Sequence, residues 1–377
     1  MIAAGDFLNA CAAEGFTIFT GTPCSYLKPL INATISLPEF RFMDATNEGD
    51  AVALACGAWL GGGAAVAMFQ NSGLGNAVNP ITSLSRAFEI PFLGITTLRG
   101  EPGGKPDEPQ HEIMGGITTQ LLDLMQVKWE WFPKTTEEIA PALKRAREAF
   151  NARKAYFFVM CDGDVDKYAL AKQERYTVCP RAQVVNKMNH GNLMTRTQAL
   201  ECIRAHLPKA ALVASTGKAG RELHDLSDEA QNFYMVGSMG CAPALGLGIA
   251  VTATHKQVVV IDGDGALMMR MGNLVTLGHF RPNNLLHILL DNEVHDSTGG
   301  QKSGSENVCF ATIAAACGYE SCLEIDSLVE LEQIVSNFPT KMTFVHVKIA
   351  AGSPEKLGRP KTTPIEVAER FKNFLRD

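Results

Sequence analysis

Short apolar runs alternate with longer amphipathic stretches along the first part of the chain. The runs are apolar on both faces, which is typical of strands in a parallel sheet that helices cover on both sides. The pattern predicts helices over about residues 4–14 and from Asn47 to about Leu60. It predicts strands at FTIFTG, RFMDA, AAVAMFQ, IPFLGITTL and KAYFFVMC.

The same alternation returns in the second part of the chain. Helices are predicted over about 195–206, from about 265, and over the final PIEVAERFKNFLRD, whereas GKAGREL is predicted to be a loop. Strands are predicted at ALVAST, VVVID, LLHILLDN and TFVHVKIA. We therefore expect an α/β fold with two mostly parallel sheets, each flanked by helices.

A polar segment separates the two parts. Residues 166–192 show no sustained hydrophobic period, so we interpret them as a linker. The expected domains are then 1–165 and 193–377, each long enough to bury a core of its own.

Composition narrows the range of functions. The 377 residues carry a formal net charge of −6, which argues against non-specific nucleic-acid binding, since that needs a basic surface. The ten cysteines form no C-x-x-C pair and the start has no cationic leader, which together predict reduced thiols in a cytoplasmic protein. The short, glycine-rich apolar stretch 53–69 is interpreted as a buried helix running into a strand, not as a membrane span.

Candidate chemistry begins where the strand VVVID ends. Asp264 stands between Gly263 and Gly265 at the carboxyl end of that strand, where open α/β sheets bind ligands. Glycines allow backbone N–H groups to approach an anion at the start of the following helix. A carboxylate beside an anion site suggests that a divalent cation bridges the two.

Further oxygen ligands are expected one helix and one strand later, in LLDNEVHDSTGGQ. Asn292 can offer its amide oxygen, and the turn beyond it exposes the carbonyl of Val294. With Asp264, diphosphate oxygens and water, these form a hard octahedral set suited to Mg²⁺. Neither G-x-x-x-x-G-K-[ST] nor G-x-G-x-x-G occurs in the glycine-rich stretches, so a dinucleotide site is the weaker interpretation.

Gly263-Asp264-Gly265, followed after residues 266–291 by Asn292, resembles the motif of the thiamine diphosphate-dependent decarboxylases. The sequence departs from that motif because Asp291 stands where many members have the first of two asparagines. The second position is the metal ligand in the family, so the resemblance carries that role to Asn292 only.

Other segments match the family in the same order along the chain. DATNEGDAVALACGAW resembles the segment whose glutamate bonds the aminopyrimidine ring and promotes formation of the ylid, and it places this role on Glu48. GSMG resembles the segment that holds the cofactor bent, with Met239 as a wedge between the rings and the Gly237 carbonyl accepting from the 4′-amino group. The resemblance implies thiamine diphosphate and Mg²⁺ as cofactors. The cofactor-binding residues it implies are Glu48, Thr216, Gly217, Gly237, Met239, Gly263, Asp264, Gly265, Ala266 and Asn292.

The chain lacks the central domain that most members of the family carry. It is similar to the compact subgroup that decarboxylates 3-phosphonopyruvate or 3-sulfopyruvate, and the motifs GTPCSYLKPLI and RGEPGGKPDEPQHEIMGGIT resemble the phosphonopyruvate branch more. A substrate with two anionic groups requires several polar and cationic neighbours. Their candidates, with His111 also proposed as catalytic in proton transfer, are Ser25, Arg99, Lys105, His111, His295 and Thr298.

Simpler interpretations stay open for several of these residues. Glu48 can be an acid that stabilises a helix start, Met239 can fill a core, and Arg99 and Lys105 can be solvated loop charges. The alternative functions are sulfopyruvate decarboxylase, another thiamine diphosphate-dependent 2-oxoacid decarboxylase or carboligase, and a non-enzymatic subunit of the same fold. The family resemblance further implies at least a homodimer with active sites at the subunit interface, and no nucleic-acid or membrane partner.

Overall fold

The structure is a computed structural model that describes residues 1–173, 182–358 and 360–377. The chain divides into two compact units, and the boundary between them falls within 174–181, outside the described residues. The first unit contains Met1–Trp59 and the chain from Gly63 to that boundary; the second contains Leu60–Gly62 and the remainder.

The first unit is built on a six-stranded parallel sheet with the strand order β2-β1-β3-β4-β6-β5. Its central strands are buried along their whole length, as expected for a sheet covered on both faces. The strands are β1 (Ile18–Gly21), β2 (Arg41–Asp44), β3 (Ala65–Phe69), β4 (Leu93–Thr97), β5 (Lys128–Trp131) and β6 (Tyr156–Met160).

Helices connect these strands. They are α1 (Ala4–Ala13), α2 (Lys28–Ser36), α3 (Glu48–Leu60), α4 (Leu74–Pro80), α5 (Arg86–Phe88), α6 (Glu112–Leu124) and α7 (Thr136–Asn151). The start of α3 is stabilised by the Asn47 side-chain oxygen, which accepts from the Gly49 N–H at 2.8 Å. Two acids in its first turn, Glu48 and Asp50, add a favourable interaction with the helix dipole.

The second unit is built on a seven-stranded parallel sheet with the strand order β7-β14-β15-β11-β10-β8-β9. The strands β10 and β11 are adjacent, and both are buried over nearly their full length. The strands of this unit are β7 (Val184–Asn186), β8 (Ala211–Ala214), β9 (Asn232–Tyr234), β10 (Val258–Gly263), β11 (Leu285–Asp291), the small hairpin β12 (Val294–His295) and β13 (Gln301–Lys302), β14 (Ser321–Ile325) and β15 (Thr343–Lys348).

The helices of the second unit have clear local start signals. Capping boxes at Thr195 and Thr363, each paired with the residue three positions later, begin the first and last of them. The helices are α8 (Arg196–His206), α9 (Lys218–Leu226), α10 (Ala242–Thr252), α11 (Asp264–Met269), α12 (Gly272–Phe280), α13 (Phe310–Ala316), α14 (Leu328–Ser336) and α15 (Pro364–Arg376).

The predicted fold class is confirmed, and the structure differs from the expected pattern in two places. The prediction of a loop at GKAGREL is wrong, because α9 begins at Lys218 and buries Ala219 and Leu223. Within the predicted linker 166–192, a short strand, β7, pairs with β14 and extends the second sheet, while residues 174–181 lie outside the described residues.

The apolar stretch 53–69 is the end of α3 followed by β3, as expected for a buried helix leading into a strand. Across the described ranges, no helix is long and apolar enough to cross a membrane.

Candidate active site

Glu48 lies at the first position of α3, just after the carboxyl end of β2. Both of its carboxylate oxygens accept hydrogen bonds, Oε1 from the Thr22 hydroxyl at 3.1 Å and Oε2 from the Asn76 amide at 2.8 Å. These donors are neutral, so they orient the carboxylate without compensating its charge. Glu48 is half-buried, and its carboxylate is held in a defined orientation at the end of the first sheet.

The Glu48 side chain packs directly on Gly73. A Cβ atom at position 73 would lie 2.3 Å from the Glu48 carboxyl carbon and from Oε1, which is closer than real contacts allow. The short 3₁₀ turn Asn71–Gly73 between β3 and α4 therefore needs glycine at its last position to leave room for the carboxylate. The sequence motif singled out Glu48 but not Gly73.

His111 lies just before α6 and is buried, with 5% of its surface exposed. Among the described residues, its Nδ1 atom has no hydrogen-bond partner. A buried ring nitrogen without a partner carries a desolvation cost, which a ligand or a water molecule can remove. This observation favours a binding role over a purely structural one for His111.

The other candidates of the first unit are placed less favourably for direct contact with an anion. Arg99 forms a two-pronged salt bridge with Asp107, Nε to Oδ2 at 2.9 Å and Nη2 to Oδ1, and lies over the Tyr26 ring. The bond from Arg99 lowers the pKa of Asp107 well below its usual range. Lys105 is almost fully exposed, with Asp162 as an ionic neighbour at 3.6 Å, and Ser25 is exposed.

The second unit contains a cavity of about 1020 Å³ at the carboxyl ends of β8, β10 and β11. It brings together most of the residues that the sequence predicts for the second half of the site. The predicted residues that line it are Thr216, Gly217, Met239, Gly263, Asp264, Gly265, Ala266, Asn292, Val294, His295 and Thr298. Gly237, whose carbonyl is also predicted to contact the cofactor, lies in the same chain segment between the cavity residues Val236 and Met239.

Asp264 is buried at the first position of α11. Burial raises the pKa of its carboxyl group, and the hydrogen bond that the Ser303 hydroxyl donates to Oδ2 only partly opposes that effect. A buried carboxylate whose charged form is disfavoured gains from a nearby cation. The electrostatics of the position therefore suit a metal ligand.

Asn292 is the residue immediately after β11 and is 7% exposed. Its Nδ2 donates to Asp296 Oδ2 at 2.7 Å, whereas within the described ranges Oδ1 has only a long 3.5 Å contact from the Val294 N–H. The amide oxygen is thus left with capacity for a further ligand, as a metal-binding asparagine requires. Val294 follows in β12, next to Glu293, whose φ of +63° turns the chain sharply.

Asp291, where the sequence departs from the family motif, is fully buried and not directed to the cavity. It accepts hydrogen bonds from His346 Nε2 at 2.8 Å, Lys348 Nζ at 2.8 Å and the Ser305 hydroxyl at 2.7 Å. Burial alone would raise the pKa of Asp291, but these bonds outweigh it and hold the pKa well below its usual range. Asp291 is the centre of a buried polar network that fixes the end of β11.

Two further observations test whether the cavity suits a polar cofactor. The Ser215 hydroxyl is buried in its wall without a hydrogen-bond partner among the described residues, whereas Asp262 Oδ2 faces His287 Nε2 at 3.6 Å. Gly265 lies against the His295 ring, where a Cβ would approach Cε1 to 2.6 Å, and beside the Met239 methyl group. A buried hydroxyl without a partner, a closely approached glycine, and the buried carboxylate and amide of Asp264 and Asn292 fit a diphosphate-bearing group with its cation.

The cation site is not a cluster of acidic or sulfur ligands. In the parts of the chain that the structure describes, no group of three His, Cys, Asp or Glu side chains could hold a metal ion. One carboxylate and one amide provide too few protein ligands by themselves. The donor set therefore fits a hard cation that takes its other oxygens from backbone, water and a bound phosphate group.

Sequence reasoning missed several polar residues around this cavity. Ser303 bonds to Asp264, and Arg196 bonds through Nη2 to Asp296 at 2.7 Å. Arg196 is a hundred positions before its partner in sequence. It begins α8, a helix that has a capping box but matches no binding or catalytic motif. Only the three-dimensional pairing identifies it.

Comparison with known proteins is consistent with this geometry. Residues 216–349 match the family model described as "Thiamine pyrophosphate enzyme, C-terminal TPP binding domain". The fold also resembles benzoylformate decarboxylase from Polynucleobacter necessarius, with a TM-score of 0.71 and 12% identity over 95% of this chain and 100% of that chain. The second unit is thus similar to the C-terminal domain of thiamine pyrophosphate enzymes, and the whole chain shares its fold with a decarboxylase.

Relatives of full length refine the class. Phosphonopyruvate decarboxylase from Streptomyces viridochromogenes is 46% identical, over 100% of this chain and 95% of the relative. Sulfopyruvate decarboxylase from Methanosarcina acetivorans is 26% identical, over 96% of this chain and 94% of the relative. The chain belongs to the phosphonopyruvate decarboxylase family, and it is an enzyme of the carbon–carbon lyase class.

Proposed function

We propose that the protein catalyses the decarboxylation of 3-phosphonopyruvate to phosphonoacetaldehyde and CO₂, with thiamine diphosphate and Mg²⁺ as cofactors. The observation that carries the proposal is the full-length similarity to phosphonopyruvate decarboxylases, together with the buried Asp264–Asn292 pair in the cavity of the second unit. Thiamine diphosphate, when bound, supplies an electron sink for the loss of CO₂.

Asp264 and Asn292 would hold the Mg²⁺ ion, with the Val294 carbonyl as a third protein ligand. The buried, charge-destabilised carboxylate of Asp264 and the uncommitted Oδ1 of Asn292 support this assignment. Thr216, Gly217, Gly263, Gly265 and Ala266 line the same wall and would approach the diphosphate through their backbones. Gly237 and Met239 would contact the rings.

Glu48 would hold the proton that is exchanged with the pyrimidine ring. Its two neutral hydrogen-bond donors keep the carboxylate directed without forming an ion pair, so it can take up and release a proton. In the active assembly we propose that Glu48 of one subunit serves the cofactor bound by another subunit of a homodimer or larger homo-oligomer. The exposed apolar side chains Val236 and Met269 on the cavity wall support a covering partner.

The substrate carries a carboxylate and a phosphonate. His111 has a buried, unpaired Nδ1 that can donate to or accept from it, and His295 and Thr298 lie at the cavity of the second unit. Arg99 and Lys105 supply positive charge, and Ser25 is an exposed hydroxyl that can bond to a carboxylate. Consumption of phosphonopyruvate would place the enzyme in phosphonate biosynthesis. The scattered cysteines without a C-x-x-C pair support a location in the cytoplasm.

Sulfopyruvate is the second candidate substrate, because the sulfopyruvate decarboxylase relative spans almost the same length. A sulfonate carries one negative charge, whereas a phosphonate approaches two at neutral pH. Arg99 is paired with Asp107, so the exposed Lys105 of the RGEPGGK segment is the cation that would favour the more highly charged substrate.

A side-by-side assay distinguishes these substrates. Purified protein with thiamine diphosphate and Mg²⁺ would be given each 2-oxoacid separately, and CO₂ and aldehyde would be measured. The proposal predicts a higher kcat/KM for phosphonopyruvate. A higher value for sulfopyruvate would contradict the substrate assignment, and no CO₂ from either would contradict the decarboxylase assignment.

A further inference from the structure

The ligand assignment requires that the oxygen end of the Asn292 amide, and not its NH₂ end, faces the cation. An amide has an oxygen end that binds a cation and an NH₂ end that repels it, and the two ends have nearly the same shape. A metal-binding asparagine therefore needs a neighbour that distinguishes the two ends. The structure contains such a neighbour in Asp296, outside the set of predicted ligands.

Asp296 Oδ2 accepts the Asn292 Nδ2 hydrogen bond at 2.7 Å. An ionised carboxylate has only acceptors, so it can pair with the NH₂ end of the amide but not with the oxygen end. Asn292 Oδ1 is then left at the other end of the amide, where the part of the chain that the structure describes offers it only the long Val294 contact. Asp296 in this way selects the end of Asn292 that is available to a cation.

Arg196 holds Asp296 in place. Its Nη2 donates to the same Asp296 Oδ2 at 2.7 Å, and its Nη1 donates to Glu222 Oε1 at 2.7 Å. Glu222 Oε2 in turn accepts from the Thr197 hydroxyl at 2.9 Å. The Arg196 and Glu222 side chains are 7% and 1% exposed and Asp296 is 13% exposed, so the bonds are largely buried and Asp296 forms their end at the cavity.

The network connects distant segments of the second unit. Arg196 begins α8, Glu222 belongs to α9, and Asp296 follows the turn after β11, while the Gly352 N–H adds contacts of 3.3 Å to both Asp296 oxygens. A buried guanidinium with two carboxylates is costly to desolvate and contributes little net stability compared with apolar packing. A role in orienting a ligand gives this costly arrangement a function.

We infer that Asp296 and Arg196 are positioning residues for the cation, Asp296 by directing the amide oxygen of Asn292 and Arg196 by fixing Asp296. The inference rests on the proposed cation site at Asp264 and Asn292. Neither residue contacts the substrate in this scheme, so neither is a catalytic residue. Outer partners of metal ligands commonly change metal affinity by about 10- to 100-fold.

The test measures Mn²⁺ binding, as a paramagnetic substitute for Mg²⁺, by the EPR signal of free Mn²⁺ in the presence of thiamine diphosphate. The full-length protein in its native assembly is compared with D296L, D296N and R196M. In D296N the side-chain oxygen can still accept hydrogen bonds from both Asn292 and Arg196. The leucine of D296L has no side-chain acceptor, so both bonds are lost. E229Q is the control, because it alters another arginine–carboxylate pair, Arg204–Glu229 at 3.0 Å, in the same unit.

The inference predicts that D296L weakens Mn²⁺ binding about 10- to 100-fold, that R196M weakens it less, and that D296N and E229Q retain most of the affinity. Equal losses of Mn²⁺ affinity in D296N and D296L would overturn the inference. The negative charge of Asp296, and not its orientation of the Asn292 amide, would then explain the affinity. Wild-type affinity in D296L would overturn it as well, and if D296L does not fold, wild-type affinity in R196M has the same meaning.

A fifth variant separates this inference from the proposed function. N292A should lose Mn²⁺ binding if the cation site is correct. Loss in N292A with unchanged binding in D296L contradicts only the positioning role. No Mn²⁺ binding by the wild-type protein contradicts both the cation site and the role of Asp296.

Discussion

The two candidate halves of the active site are built in different ways. In the second unit, Asp264, Asp291 and Asp296 are carboxylates at or just beyond strand ends, each held by buried hydrogen bonds or ion pairs. In the first unit, Glu48 is half-buried between two neutral donors, and the nearby candidate cations are exposed or paired internally.

This difference matches the tasks proposed for the two halves, which are cofactor and cation binding in the second unit and proton exchange in the first. Holding a diphosphate and its cation requires fixed charges, and a rigid network at the ends of adjacent parallel strands provides them. Exchanging a proton requires a carboxylate whose charge is not neutralised by a permanent partner. The comparison therefore predicts that changes in the first unit affect turnover more than stability, and that the reverse holds for the supporting network of the second unit.

The largest effect is expected from Glu48. We predict that E48Q, which keeps the size of the side chain and one of its two acceptor oxygens but cannot exchange a proton, lowers kcat by about 10²- to 10⁴-fold. The cation should still bind, because the residues proposed to hold it and the diphosphate lie in the second unit. Steady-state kinetics and thermal unfolding check both parts, and unchanged kcat would remove Glu48 from the mechanism.

Gly73 offers a test of the position of that carboxylate. In G73A the new Cβ would displace the Glu48 side chain, and a displacement of about 1 Å can lower the rate about 10²-fold. G75A is the matched control, two residues further on, where nothing lies within 4 Å of an added Cβ. Equal activity of the two variants would show that Gly73 does not control the position of Glu48.

The Asp291 network should affect stability instead. K348M leaves a buried carboxylate without one of its partners while His346 and Ser305 remain, and we expect a loss of about 1–3 kcal/mol in the free energy of unfolding. The control K187M breaks the more exposed Lys187–Glu330 pair at 2.7 Å and should cost about 0–1 kcal/mol. Urea denaturation in EDTA measures both, and equal losses would contradict the importance of burial.

Low pH should reduce the contribution of the Asp291 network to the free energy of unfolding. The folded pKa of Asp291 is depressed, so its stabilising effect is complete above the ordinary aspartate pKa of about 4 and is lost as the pH falls further. The difference in stability between wild type and K348M should therefore shrink in acid. A difference that grows as the pH falls would mean that Asp291 is not the group responsible.

The smallest effect is expected at Lys105. Its side chain is 89% exposed and its contact with Asp162 is long, so K105A should change the free energy of unfolding by less than about 1 kcal/mol. Any effect should appear in KM for the anionic substrate. An increase in KM that disappears at high salt would indicate electrostatic attraction, whereas an unchanged KM would leave Lys105 outside the substrate site.

Sequence patterns predicted the buried strands, and they singled out residues that the structure brings to one cavity, because both depend on local signals. VVVID and LLHILLDN are long apolar runs that end in polar residues, and the structure places both as adjacent parallel strands. The α9 helix was missed because Gly217 and Gly220 lower local helix propensity, while the burial of Leu223 and the Glu222–Arg196 pair become visible only in three dimensions.

The surroundings of the ligands were not predictable in the same way. Nothing in DNEVHD indicates that Asp291 is paired with Lys348 or that Asp296 is paired with Arg196, since each partner is far away in sequence. The substrate residues were equally difficult, because exposed charges such as Lys105 look the same in a sequence whether or not they meet a ligand. Their assignments remain predictions.

The most direct test of the central claim is a crystal structure grown with thiamine diphosphate and Mn²⁺, using the anomalous signal of manganese. The account predicts a manganese peak within bonding distance of Asp264, Asn292 Oδ1 and the Val294 carbonyl, with Glu48 of a subunit against the pyrimidine ring. A peak elsewhere, or a pyrimidine ring with no Glu48 beside it, would contradict the account.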